Sequence, residues 1–332
     1  MIDPHRASSF TFLNKMPGVL GFLTGGFAVL VLRDMMGPQL EDLGSEIFDK
    51  CYRSAASWVN SGRPVDERSI LVYQPIVERG KFKVIRHSVP GRTFNSMILP
   101  HNSREILDIV SYVMKSHATN SIPNRYGILL RGPPGNGKSQ YVISLATELN
   151  VPIYTLTLSS VFLGDESIRA RVFSSFPRGS IVLIEDADSI FETKLIANGR
   201  LSIDTLLSGI DGSYVPHNIV YILSCNKIEK MPRKLLRRFP HIIDFKLPTT
   251  DNSVDFVIKY FSKDYYGEGL TVSQTSKFRS LFENKNKDVN GLQFISFSDL
   301  EGCLKRVIHL NRRLRFPRFM KEVEAIEPHS GE

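Results

Sequence analysis

Residues 132–139 read Gly132-Pro133-Pro134-Gly135-Asn136-Gly137-Lys138-Ser139, with Gln140 next. Glycines at these positions let the backbone turn its N–H groups toward an anion, and a helix start just beyond adds partial positive charge. Lys138 supplies a point charge for terminal phosphates, and the Ser139 hydroxyl is an oxygen ligand suited to Mg²⁺. The chemistry this spacing serves is the cradling of a polyphosphate.

Two further polar clusters follow apolar runs. Ser180–Phe191 reads SIVLIEDADSIF, so Glu185 and Asp186 arrive at the carboxyl end of a strand, where ligands bind in open α/β sheets. One carboxylate there can meet Mg²⁺ beside Ser139, and its neighbour can orient a water and take its proton. Ile219–Asn226 repeats the design and ends in Ser224-Cys225-Asn226, which offers the Asn226 amide to a water or a γ-phosphate. By itself a pair of acids also caps helices, and an asparagine also caps turns.

These residues need a scaffold of strands alternating with helices. Apolar runs predict strands at Tyr126–Leu130, Ile153–Leu156, Ile181–Ile184, Ile219–Leu223 and Ile242–Phe245, with helices over 103–116, 140–149, 166–174 and 201–210. Alternation of this kind implies a parallel, helix-covered sheet, an α/β fold of the P-loop NTPase type. Residues beyond Pro248 read as a separate helical unit. Ahead of the sheet, Leu40, Leu43, Ile47, Cys51, Ala55 and Trp58 share one helix face, and 69–77 and 82–89 form a β-hairpin around Glu78-Arg79-Gly80-Lys81.

Met16–Leu32 carries no charge between Lys15 and Arg33, and as a helix it would span roughly 25 Å against a hydrocarbon core of about 30 Å. Its glycines suit a membrane helix better than a water-exposed one, so a membrane anchor is expected; a cleaved targeting segment or a segment buried in an oligomer are the competing readings. The expected organisation is an N-terminal segment 1–35, a small region 36–95, a large α/β domain 96–248 and a helical lid 249–332. Cys51, Cys225 and Cys303 have no paired spacing, so they suggest neither a disulfide framework nor a zinc site and fit a reducing, ATP-containing compartment. The net charge is +8, concentrated in 302–321, a tract that could meet nucleic acid, an anionic membrane or an acidic neighbouring subunit.

With loop, acids and polar strand end in order, residues 96–310 resemble an AAA-type ATPase. Leu206–Gly212 (LLSGIDG) resembles the second region of homology of that family, and Ile295–Leu304 (ISFSDLEGCL) the start of its last lid helices. Lys234–Phe239 (KLLRRF) resembles the arginine-finger segment, which implies that Arg237 and Arg238 reach the ATP of a neighbouring subunit. Phe162-Leu163-Gly164 resembles the loop with which peptide-threading members grip substrate. Within the family the chain is most similar to the mitochondrial complex III assembly ATPases, which share a membrane helix, a middle region and the Glu-Asp order of the acidic motif. That resemblance gives Glu185 the metal side and Asp186 the water-activating side.

The resemblance implies a membrane-tethered, ring-forming ATPase that uses ATP and Mg²⁺ to remodel a protein client, with its ATPase domain in the cytosol or mitochondrial matrix. The region 36–95 is shorter than the middle domain of those chaperones, which turns the expectation toward an unfolded polypeptide. A nucleic-acid motor similar to small viral helicases is the alternative, supported by the basic tract. A scaffold that binds nucleotide without hydrolysing it is a third reading, opposed by the intact acids.

Overall fold

The computed structural model describes residues 69–78, 81–115, 125–156, 172–173, 175–188, 203–211, 218–262, 269–287, 293–311 and 314–328. The expected membrane segment 16–32, the helix over 40–58, the loop Phe162-Leu163-Gly164 and most of the helix over 166–174 lie outside the described residues, as does Gly212. Two compact units divide the chain, Met1–Pro64 and Val65–Glu332, and every described residue belongs to the second.

Seven strands form one sheet: β1 (Ser69–Glu78), β2 (Lys81–Pro90), β3 (Arg125–Arg131), β4 (Ile153–Leu156), β5 (Ser180–Ile184), β6 (Ile219–Cys225) and β7 (His241–Asp244), in the order β2-β1-β4-β5-β6-β3-β7. From β1 to β7 every pairing is parallel. β5 and β6 are buried at every position, as strands covered on both faces must be, and this explains their unbroken apolar sequences. Helices α1 (Ser103–Lys115) and α2 (Lys138–Leu149) bury Ile106, Val110, Tyr141 and Leu145 against Ile128, Leu130, Val220 and Ile222 of the sheet.

The hairpin forms as expected, with Glu78 opposite Lys81 and Ser69 opposite Pro90. Its place differs from the expectation that residues 36–95 stand apart from the ATPase domain. β1 pairs with β4 through Val72↔Ile153 and Tyr73↔Tyr154, and the two tyrosine rings stack at 4.7 Å. The boundary expected at residue 96 therefore shifts toward the N-terminus, because residues from Ser69 onward carry the hydrogen-bonding edge of the same sheet.

Beyond α3 (Ile203–Asp211) and the short α4 (Arg233–Leu236), the chain leaves β7 into four helices: α5 (Thr250–Phe261), α6 (Val272–Lys285), α7 (Phe297–Asn311) and α8 (Phe316–Glu324). The Thr249 side chain caps α5 by accepting the Asn252 N–H, and Thr271 with Gln274 forms a capping box that starts α6. These helices have a core of their own, centred on Phe278, Phe282, Leu304 and Phe319. Each such side chain contributes roughly 1.5–3 kcal/mol by burial, which lets the lid hold its shape as a unit.

Candidate functional site

The phosphate loop leaves β3 at its carboxyl end and enters α2, whose first residue is Lys138 rather than the expected Gln140. Gly132 takes φ +142, and a Cβ there would lie 1.8 Å from the Phe245 carbonyl oxygen, so no other residue fits. Asn136 is buried and donates to the carbonyls of Pro133 (3.3 Å) and Pro134 (3.2 Å), which ties the two prolines to the loop's own interior. Gly135 accepts the Ser298 N–H at 3.0 Å, so the first turn of lid helix α7 rests directly on the loop.

Lys138 is 8% exposed, and its ammonium donates to the carbonyls of Gly132 (2.6 Å) and Pro133 (3.1 Å) and to Asn226 Oδ1 (2.7 Å). Burial pulls its pKa below that of an ordinary lysine, opposed by the carboxylate of Asp186 and, more weakly, by Asp188. Ser139 Oγ donates to Glu185 Oε1 at 2.5 Å. A hydroxyl and a carboxylate in contact make an all-oxygen donor set, which fits a hard cation such as Mg²⁺.

Asp186 is exposed and takes φ +45, a left-handed conformation that non-glycine residues adopt at a cost, while its N–H donates to Ser224 Oγ at 3.2 Å. The acidic turn after β5 is thereby tied to the end of β6. Glu185, Asp186, Ser224, Asn226 and residues 134–140 all line one cleft of about 400 Å³. The loop, the acids and the asparagine singled out in the sequence thus line the same cleft.

Arg237 and Arg238 do not join them. Arg238 forms an ion pair with Asp211 at 2.5 Å and donates to the Lys234 carbonyl, while Arg237 is exposed at the end of α4. A Cβ on Gly127 would lie 1.8 Å from the Arg238 carbonyl oxygen, which puts this turn beside the start of β3. Gly132 comes five residues later on the same run, about 16 Å away at roughly 3.3 Å per residue.

The cleft has a second half that sequence reasoning missed. Arg92, Met97 and Ile98 from the segment before α1, and Phe256, Tyr260, Ser298 and Glu301 from the lid, line its remaining wall. The segment is pinned on α2, where the Arg92 N–H donates to Thr147 Oγ1 (3.1 Å) and the Phe94 N–H to Glu148 Oε1 (2.9 Å), and Lys259 of the lid donates to the Asn95 carbonyl at 2.7 Å. Asp188, which sequence reasoning also missed, accepts the backbone N–H groups of Asn226 and Lys227. In the basic tract, Lys305 pairs with Glu301 and Arg306 with Glu322, whereas Arg315, Arg318 and Lys321 are exposed.

Residues 128–247 match the model of the ATPase family associated with various cellular activities (AAA). The mitochondrial chaperone BCS1 of Bos taurus is 30% identical over 237 residues, which cover 67% of this chain and 56% of that protein. The probable mitochondrial chaperone BCS1-A of Dictyostelium discoideum is 31% identical over 251 residues, 71% of this chain and 56% of that one. The chain spans about half the length of the curated relatives it matches. Among solved structures, the FIGL-1 AAA domain in complex with ADP superposes with a TM-score of 0.51 at 17% identity, covering 72% of this chain and 85% of that one. At that identity the superposition speaks for the fold.

Proposed function

We infer that this chain, an ATP-hydrolysing AAA protein related to the BCS1 chaperones, works as a ring of like subunits that remodels a protein client. The position of Arg237 and Arg238 carries this reading: they sit by the start of β3, out of reach of the loop at its other end. Arginines that stabilise phosphoryl transfer must touch the transferred group, so the finger role that the KLLRRF resemblance gives these two requires a site on an adjoining copy. Within one subunit Lys138 and the loop N–H groups hold the phosphates, Asp186 orients and deprotonates the attacking water, and Asn226 steadies it. Ser139 and Glu185 would hold Mg²⁺, which neutralises phosphate charge when bound. Residues 16–32 would tether the ring to a membrane, and Phe162-Leu163-Gly164 would grip an extended polypeptide.

The test is complementation between copies. Lys138→Ala and Arg237→Ala/Arg238→Ala proteins, each inactive alone, regain turnover when mixed, because an intact loop then meets intact arginines from a neighbour. Turnover that stays at zero on mixing, together with wild-type specific activity that does not change on dilution, rejects the shared site. Stimulation by an unfolded polypeptide supports a protein client; salt-sensitive stimulation by single-stranded RNA would instead select the nucleic-acid motor, for which Arg315, Arg318 and Lys321 are the surface.

A further inference from the structure

Asp188 lies two residues beyond Asp186 and is 5% exposed. Its Oδ2 accepts the backbone N–H groups of Asn226 at 3.1 Å and Lys227 at 2.9 Å. Its Oδ1 is buried and has no hydrogen-bond partner among the described residues. A carboxylate at this depth is costly unless its charge is well compensated, and one oxygen without a partner is far from the most stable arrangement. Such a residue is explained by what it holds in place.

The pairing of β6 with β3 ends at Cys225 opposite Arg131, so the N–H groups of Asn226 and Lys227 lie beyond the last rung of the sheet. Asp188 replaces the missing partner with one oxygen that grips both. The residue whose backbone it fixes is the one whose side-chain oxygen stands 2.7 Å from the Lys138 ammonium. The acidic turn after β5 is therefore joined both to the turn after β6, by Asp188, and to the end of β6 itself, by Asp186 N–H to Ser224 Oγ. We propose that Asp188 is a positioning residue for ATP hydrolysis, holding the Asn226 amide at the phosphate end of the cleft through the backbone N–H groups of residues 226 and 227.

The inference rests on Asn226 acting at the γ-phosphate end, and a double-mutant cycle separates the two claims. Asp188→Ala is expected to lower kcat by about 10–100-fold, as loss of a supporting hydrogen bond does at other sites, while KM stays within about threefold. Asp188→Asn keeps one acceptor oxygen and restores part of that loss. In an Asn226→Ala background, either Asp188 substitution produces no further decrease, which a general loss of stability would not do. Equal losses in both backgrounds overturn the role of Asp188 while leaving Asn226 assigned. An Asn226→Ala protein with unchanged kcat overturns the assignment of Asn226 and this inference with it. If thermal melting shows that neither Asp188 variant folds, Asp188 belongs to the stability of the sheet and the proposal fails.

Discussion

Lys138 Nζ stands 2.7 Å from Asn226 Oδ1, which joins the phosphate loop after β3 to the turn after β6 through their side chains. The other two ammonium protons point to the carbonyls of Gly132 and Pro133. A lysine has three protons to donate, so a triphosphate that engages Lys138 must draw it from at least one of these acceptors. Of the three, only Asn226 presents an oxygen on a rotatable side chain. Phosphate binding and the orientation of Asn226 are linked for that reason.

Removing the charge of the proposed base separates binding from turnover. Asp186→Asn keeps ATP affinity close to wild type and lowers turnover by about 10²–10⁴-fold, the range for loss of a general base. Lys138→Ala loses binding itself. Equilibrium nucleotide titration beside a phosphate-release assay checks both, and an Asp186→Asn protein with wild-type turnover removes Asp186 from the base position.

Contact between lid and loop is open to a paired substitution. Gly135 has φ +76, and an added Cβ would meet Ser296 Oγ at 2.7 Å and Ser298 Cβ at 2.9 Å; Gly179 has φ +73 with nothing within 4 Å. Both alanine variants bear the left-handed backbone cost of about 1–2 kcal/mol. Only Gly135→Ala also pushes α7 off the loop, so it alone weakens ATP binding. Thermal melts with and without nucleotide distinguish the two.

The two arginines are not equivalent. Arg238 is held by Asp211, with side chains 35% and 47% exposed, so Arg238→Ala removes a partly solvated pair and costs under about 1 kcal/mol of stability. Arg237 has no such tie in the described ion pairs and is the more exposed. Each single substitution is expected to leave ATP binding intact and to reduce turnover by up to about 10³-fold, as loss of an arginine finger does. Asp211→Asn releases Arg238 without removing it, and turnover that survives this change shows that the ion pair is a resting contact.

Alkaline pH weakens nucleotide binding earlier than an ordinary lysine would predict. Burial lowers the Lys138 pKa, so the charge that meets phosphate is lost below the usual lysine value of about 10.4. The sign for stability is opposite: between the lowered folded pKa and the unfolded one, the unfolded chain binds more protons, so stability from this group rises with pH. ATP affinity measured from neutral to alkaline pH, beside melting of the nucleotide-free protein, checks both directions. A binding midpoint at or above 10.4 contradicts the burial argument.

Strands β3 to β6 were legible because each is an apolar run followed by a polar or glycine residue, and in a parallel sheet all those endings share one edge. Glu185, Asp186 and Asn226 therefore meet the loop as their positions along the chain suggest. The hairpin was legible as a hairpin, yet nothing local in residues 69–77 names β4 as its neighbour, since that pairing joins Val72 to Ile153. The cleft wall built by Met97, Phe256 and Tyr260 was hidden for a related reason: apolar residues on separate elements carry no signature until the lid is seen against the segment before α1. Asp188 had one faint sign, a third acid in IEDAD, but its partners are backbone N–H groups and leave no trace in residue type.

The Phe245 carbonyl packed against Gly132 gives the molecule a fulcrum. Phe245 also donates its N–H to Arg131, and helix α5 begins at Thr250. The stalk that carries the lid thus springs from the same point that shapes the cradle, so one backbone contact sets both the curve of the cradle and the root of its four-helix cover.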